Sequence, residues 1–145
     1  MGLRHMNVSD IMTAKPVTIH QDSTLRQALE AMEQAGCHHL PVLSADGHLV
    51  GILSDRDIRK ALNLPQVLRE HWEDDDLANH LMVRTLMTPA PITTEPDASS
   101  EEAARLMLVN RISCLPVMRS ETLVGIVTKS DILMAFMRMA KSVPT

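Results

Sequence analysis

Aromatic side chains are almost missing from this 145-residue chain, which has one Trp, one Phe and no Tyr. The apolar share of 45% is carried instead by aliphatic residues and 11 Met, a composition that gives an adaptable core with few stacking platforms. Basic charge is not in excess either: 14 Lys and Arg against 18 Asp and Glu leave a net charge of −4 and a pI near 5.9. Binding DNA or RNA by phosphate neutralisation needs a clustered cationic surface, so no nucleic-acid partner is expected. No run approaches the roughly 20 apolar residues of a membrane helix, and the N-terminus has no apolar stretch fit for a secretory signal. A cytoplasmic protein without membrane contact is the expectation, with residues 1–5, outside the repeat, read as either an N-terminal extension or a tag remnant ahead of Met6.

Cysteine is scarce as well. Cys37 and Cys114 have no second cysteine close enough for a zinc knuckle or a redox pair, so both read as free buried thiols. Neighbouring residues of a strand point to opposite faces, so His38 and His39, although next to Cys37, are not expected to share a metal ion. Nothing resembles a nucleophile elbow, and the serines are accounted for as helix caps. Neither an enzyme nor a metal protein is expected.

What is present is duplication. Met12-Thr13 recurs as Met87-Thr88 and Pro41-Val42 as Pro116-Val117, both 75 residues on. Val8/Val83, Pro16/Pro91, Thr18/Thr93, Asp22/Asp97, Ala28/Ala103, Met32/Met107 and Leu40/Leu115 keep that step, and Val50-Gly51-Ile52 recurs after 74 as Val124-Gly125-Ile126. A repeat so well in register decides the fold before any single motif does. The one lost residue falls where Ser44–His48 faces Arg119–Thr122, a turn that tolerates deletion.

Each repeat reads the same way. Ser9 and Thr85 are expected to cap short helical turns leading to Met12 and Met87; Pro16 and Pro91 then enforce extension, with brief strands at Val17-Thr18-Ile19 and Ile92-Thr93. Thr24 with Gln27, and Ser99 with Glu102, have capping-box spacing and start helices. Leu25, Ala28, Leu29 and Met32 form one apolar stripe, repeated less cleanly by Ala103, Leu106 and Met107, and Gly36 is placed for a left-handed cap. Strands at Leu40–Leu43 and Leu49–Leu53, joined by the Asp46-Gly47 turn, precede a helix from Asp55 to Leu62; their counterparts are Leu115–Met118, Leu123–Val127 and a helix from Lys129. The fold class is α/β (α+β): two β-α-β-β-α repeats, each too small for comfortable independent stability and expected to pack about a pseudo-twofold axis. The boundaries run 1–7 for an N-terminal extension, 8–62 for repeat 1, 63–82 for an exposed connector with Trp72 and the acidic run Glu73-Asp74-Asp75-Asp76, 83–141 for repeat 2 and 142–145 for a tail.

Three landmarks, in order and twice, resemble the cystathionine-β-synthase (CBS) domain, paired as a Bateman module. They are Asp10-Ile11-Met12-Thr13 and Thr85-Leu86-Met87-Thr88; His39-Leu40-Pro41-Val42 and Cys114-Leu115-Pro116-Val117; and Gly51–Ile58 and Gly125–Ile132. The resemblance runs from Val8 to about Met139 and looks like a stand-alone pair, with a connector similar to that of acetoin-utilisation accessory proteins.

Ser54 with Asp57, and Thr128 with Asp131, have cap spacing on their own account. A carboxylate at such a place can also accept from both hydroxyls of a ribose, while the helix end favours a phosphate. The resemblance implies that use. Carried over, one cleft would join Ser54, Asp57 and His39 with Thr88, Thr93 and Ile112, and its twin would join Thr128, Asp131 and Cys114 with Thr13, Thr18 and Cys37. Arg56 with His38 or His39 on one side, and Lys129 with Arg111 on the other, are the phosphate candidates, richer at the Asp57 cleft. The implied function is regulatory: adenine nucleotides (AMP, ADP or ATP) or S-adenosylmethionine bind without serving as cofactors and signal to an effector protein. The last helix, Ile132–Met139, is apolar around most of its circumference and is expected to be covered in a homodimer. The alternative is a ligand-independent scaffold acting through the acidic connector and this Met-rich helix.

Overall fold

The computed structural model describes residues 6–62 and 76–142. Trp72 and Glu73 to Asp75 of the expected connector, and residues 1–5, lie outside them. The chain divides into two compact units, one made of Val17–Pro91 and the other of Met1–Pro16 with Ile92–Thr145. We call them the Asp57 unit and the Asp131 unit. Their limits do not follow the repeats, because each repeat's opening segment is built into the unit that holds the rest of the other repeat.

In the Asp57 unit, β2 (Ile19–His20), α2 (Leu25–Ala35), β3 (His39–Leu43), β4 (Leu49–Ser54) and α3 (Asp55–Leu62) are followed by α4 (Asp76–His80), α5 (Val83–Leu86) and β5 (Thr88–Pro89). The sheet order is β2-β3-β4-β5, with β2 parallel to β3 and the other pairs antiparallel. Thr24 and Gln27 cap each other: the Gln27 amide donates to Thr24 Oγ1 at 3.2 Å and the Thr24 amide to Gln27 Oε1 at 2.9 Å. Gly36 closes the helix at φ 63°, where a side chain would be strained. Leu25, Ala28 and Met32 are buried against Leu40, Val42, Leu53, Ile58 and Val83. Leu29 of the expected stripe is 41% exposed, because the sheet covers only the narrower face through its three neighbours.

The Asp131 unit repeats this with α1 (Val8–Ile11), β1 (Thr13–Ala14), α6 (Ser100–Asn110), β6 (Cys114–Arg119), β7 (Thr122–Thr128) and α7 (Lys129–Ser142), in sheet order β1-β7-β6. Val8, Ala103, Met107, Leu115, Val117 and Val127 form its core. Its counterpart of β2 has shrunk to one bridge, Thr94 with Val117. The brief strands were expected too early, at Val17-Thr18-Ile19 and Ile92-Thr93. Ladder pairing starts at Ile19 and Thr94, three residues beyond the prolines that break it. Two caps also moved. The first turn is capped from Asn7, whose amide donates to Asp10 at 2.9 Å, rather than from Ser9, and Thr85 sits inside its turn, donating to the Met82 carbonyl at 2.7 Å.

Both hairpins carry the same register shift. Val42 pairs with Gly51 and Leu43 with Leu49, which leaves Val50 as the extra residue; Val117/Gly125 and Met118/Leu123 leave Val124. The bulged carbonyls are used: Ala90 donates to Val50 at 3.2 Å and Lys15 to Val124 at 3.3 Å, each tying down the residue after a docked opening strand. The lost residue lies in the turn: Ser44–His48 is a five-residue loop, whereas the four matched residues Arg119–Thr122 extend the ladder by one pair, Arg119 with Thr122, and turn through Ser120-Glu121.

Candidate nucleotide-binding site

The end of β4 runs into α3 without a break, and Ser54 stands at the join. Its amide and hydroxyl both donate to Asp57 Oδ2 at 2.9 Å, and the Asp57 amide donates back to Ser54 Oγ at 3.1 Å. The second copy reproduces this: the Thr128 amide and Oγ1 donate to Asp131 Oδ2 at 2.8 and 3.0 Å, and the Asp131 amide returns to Thr128 Oγ1 at 3.3 Å. Each carboxylate is therefore fixed through Oδ2, with Oδ1 outside this cap, at a half-buried helix start where the exposed amides and the dipole favour an anion. A carboxylate oxygen so held can accept from a diol without first being ordered.

The opening strands complete each site. β5 pairs with β4 through Thr88–Ile52, which brings the Thr88 hydroxyl to donate to Asp57 Oδ1 at 3.2 Å. β1 pairs with β7 through Thr13–Ile126, yet among the described residues no hydrogen bond joins Thr13 to Asp131. These strands approach through glycine. A Cβ on Gly51 would lie 2.9 Å from the Thr88 carbonyl and against Met87 Sδ, and one on Gly125 would lie 3.0 Å from the Thr13 carbonyl and against Met12 Sδ. The Met-Gly contact had no role in the sequence reading, although both partners recur in register.

His39 and Cys114 occupy matched places, facing Ser54 and Thr128 across their hairpins. Burial holds the His39 imidazole below its ordinary 6.5, with Asp55 pulling the other way. Burial, helped by the Asp131 charge, pushes the Cys114 thiol up to about 12, so it acts as an apolar wall. Asp55, which sequence reading passed over, faces His38 Nδ1 at 3.3 Å and Arg59 at 3.8 Å; the i, i+4 spacing to Arg59 was the available signal. Arg56 and Lys129 are exposed at the first turns of their helices. Thr18 and Cys37 belong to the unit of Asp57, and Thr93, Arg111 and Ile112 to the unit of Asp131. So the structure joins Ser54, Asp57 and Thr88 with His39 close by, and likewise Thr128 and Asp131 with Cys114 and Thr13. No group of three or more potential metal ligands gathers among the described residues, nor is any helix there long and apolar enough to cross a membrane.

Comparison with known proteins gives the same architecture. Residues 8–64 and 83–138 each match the CBS domain family. A CBS domain-containing protein of Dictyostelium discoideum is 38% identical over 94% of this chain and 95% of its own length. The crystal structure of a putative acetoin utilization protein, AcuB, from Vibrio cholerae superposes with a TM-score of 0.74 at 31% identity, covering 96% of this chain and 98% of that one. CBSX2 of Arabidopsis thaliana in complex with AMP does so at 0.74 and 28%, over 93% and 98%. With two family matches in tandem on a twice-written fold, the chain belongs to the CBS domain family as a tandem CBS pair.

Proposed function

We propose that this protein is a regulatory sensor that binds adenosine-containing ligands, AMP, ADP, ATP or S-adenosylmethionine, at Asp57 and at Asp131 and passes the change to an effector protein in the cytoplasm. The observation that carries this reading is the paired carboxylate, held through Oδ2 by its own helix start at an anion-favouring helix end, with Oδ1 outside that cap. In the Asp57 unit, Asp57 and Thr88 take the ribose and Arg56 and His39 the phosphate; in the Asp131 unit, Asp131 and Thr13 take the ribose and Lys129 the phosphate. AMP on Arabidopsis CBSX2 supports the ligand class. A ligand of this kind acts on the fold only through its differential affinity for two arrangements.

Thermal denaturation with a nucleotide panel tests the reading. A ligand at a hundred times its dissociation constant adds about 2.7 kcal/mol, and Asp57→Ala with Asp131→Ala removes the shift. An unmoved midpoint with every adenosine compound sinks it.

A specific observation also favours an interaction surface. Leu133, Met134, Phe136 and Met137 of α7 are 51–62% exposed while Ala135 is buried. A second copy of the chain covers this face in a homodimer, for which Phe136→Glu yields a monomer in sedimentation. If the dimer persists and no nucleotide binds, a scaffold working through α7 replaces the sensor.

A further inference from the structure

The two sites differ in how their charge answers to protons. At matched places the Asp57 unit has His38, His39, Asp55, Arg56, Asp57 and Arg59, and the Asp131 unit has Ser113, Cys114, Lys129, Ser130, Asp131 and Leu133. With neutral histidines both sets balance, two carboxylates against two guanidiniums in one and one carboxylate against one ammonium in the other. On acidification only the first set gains positive charge, because a thiol and a serine stand where it has histidines. His39 is placed for this role: it opens β3 opposite Ser54, which itself anchors Asp57. The charges acting on it are Asp55 and Asp57 of α3 and His38, the residue just before its own strand.

We propose that the Asp57 site is a proton-linked phosphate site, in which His39 takes up a proton as a phosphorylated nucleoside binds, while the Asp131 site has no such linkage. The proposal rests on the adenosine-ligand reading. Burial disfavours the imidazolium in the empty site, and a phosphate nearby restores it, so His39 is more basic with ligand than without. Affinity must then rise as pH falls through the interval between those two states.

Calorimetric titration of the full-length chain with AMP at about pH 6 and about pH 8, in buffers of different ionisation enthalpy, measures both affinity and proton uptake. Asp131→Ala isolates the first site and Asp57→Ala the second. AMP's own phosphate titrates near this range and acts at both sites, so the Asp57→Ala chain supplies its contribution. The expected result is affinity about fivefold higher at the acid pH for the Asp57 site, relative to its twin, with fractional proton uptake. His39→Gln, alone or on Asp131→Ala, brings the ratio to that of the twin, and adenosine shows no acid gain. AMP binding with the same pH response at both sites, or a response that His39→Gln leaves intact, overturns the inference and leaves the adenosine reading standing. No AMP binding at either pH overturns both.

Discussion

The Asp57 and Asp131 units share a backbone plan down to the bulge, and differ in what surrounds one conserved-in-register carboxylate. Asp57 holds a Thr88 hydroxyl on Oδ1 and acts on the His39 imidazole; Asp131 has neither and backs onto a buried thiol. Duplication supplied the positions, and only the side chains at them separate the two sites. The lesson is that backbone geometry sets where the two carboxylates are held, whereas the two residues before Leu40-Pro41 and before Leu115-Pro116 are where the titratable side chains of the units diverge.

The comparison can be broken at its cores first. Leu40 and Leu115 are fully buried at matched places, so Leu40→Ala and Leu115→Ala should each cost about 3 kcal/mol. Urea denaturation yielding clearly unequal losses would show that one core can collapse around a cavity and the other cannot. Next are the glycines: Gly51→Ala and Gly125→Ala push a methyl onto a carbonyl that cannot move without releasing β5 or β1, at about 2 kcal/mol each. Equal costs, read from the denaturation midpoint, would establish that the two docked strands are equivalent. Removing the caps is smaller. Asp57→Ala and Asp131→Ala should each lose about 1 kcal/mol, and Thr88→Val should weaken only the Asp57 unit, by about 0.5 kcal/mol.

The left-handed closure sharpens the comparison further. Gly36 at φ 63° has Arg111 at φ 54° as its counterpart, so Arg111→Gly should stabilise by up to about 1 kcal/mol and Gly36→Arg destabilise by as much. Thermal scans of both variants check the signs.

The smallest effect is the pH profile of the ligand-free chain. His39, held below 6.5, contributes stability that is complete above that ordinary value and lost as pH falls through it, because the unfolded chain takes up the proton more readily. Cys114, pushed from 9.0 up to about 12, contributes stability complete below 9.0 and lost as pH rises through the interval to 12. The His39 share of the acid loss should vanish in His39→Gln, and alkaline loss should shrink in Cys114→Ala, with Cys37, whose thiol is also pushed up by burial, supplying a remainder; both are followed by denaturant titration across pH.

Much of this was legible in the residues. Thr24/Gln27, Gly36, and the Ser54/Asp57 and Thr128/Asp131 pairs act within three or four positions of one another, so spacing alone identified their contacts. Ser99 was half legible: the Glu102 amide donates to it at 3.0 Å, but the Glu102 carboxylate turns to Arg105, a competitor one turn on. Leu29 was misjudged because a periodic stripe records which face is apolar and not how wide a sheet covers it. The Ser9 and Thr85 caps were misplaced by two or three positions because the chain enters each turn bonded to a distant partner, Val8 to the Ala98 carbonyl and Val83 to that of Ser23, both at 2.8 Å.

By itself, then, the sequence determined the repeat, its elements, the hairpin turns and both carboxylate caps, since all of these follow from local dihedral preference and short-range hydrogen bonding. Only the tertiary structure decided that each opening segment docks on the other repeat's hairpin, Met87 over Gly51 and Met12 over Gly125, and that Thr88 thereby reaches Asp57. Contacts between residues 31 or more positions apart depend on which sheet edge is left open and which glycine leaves room. That is a property of packed surfaces, and no spacing along the chain encodes it.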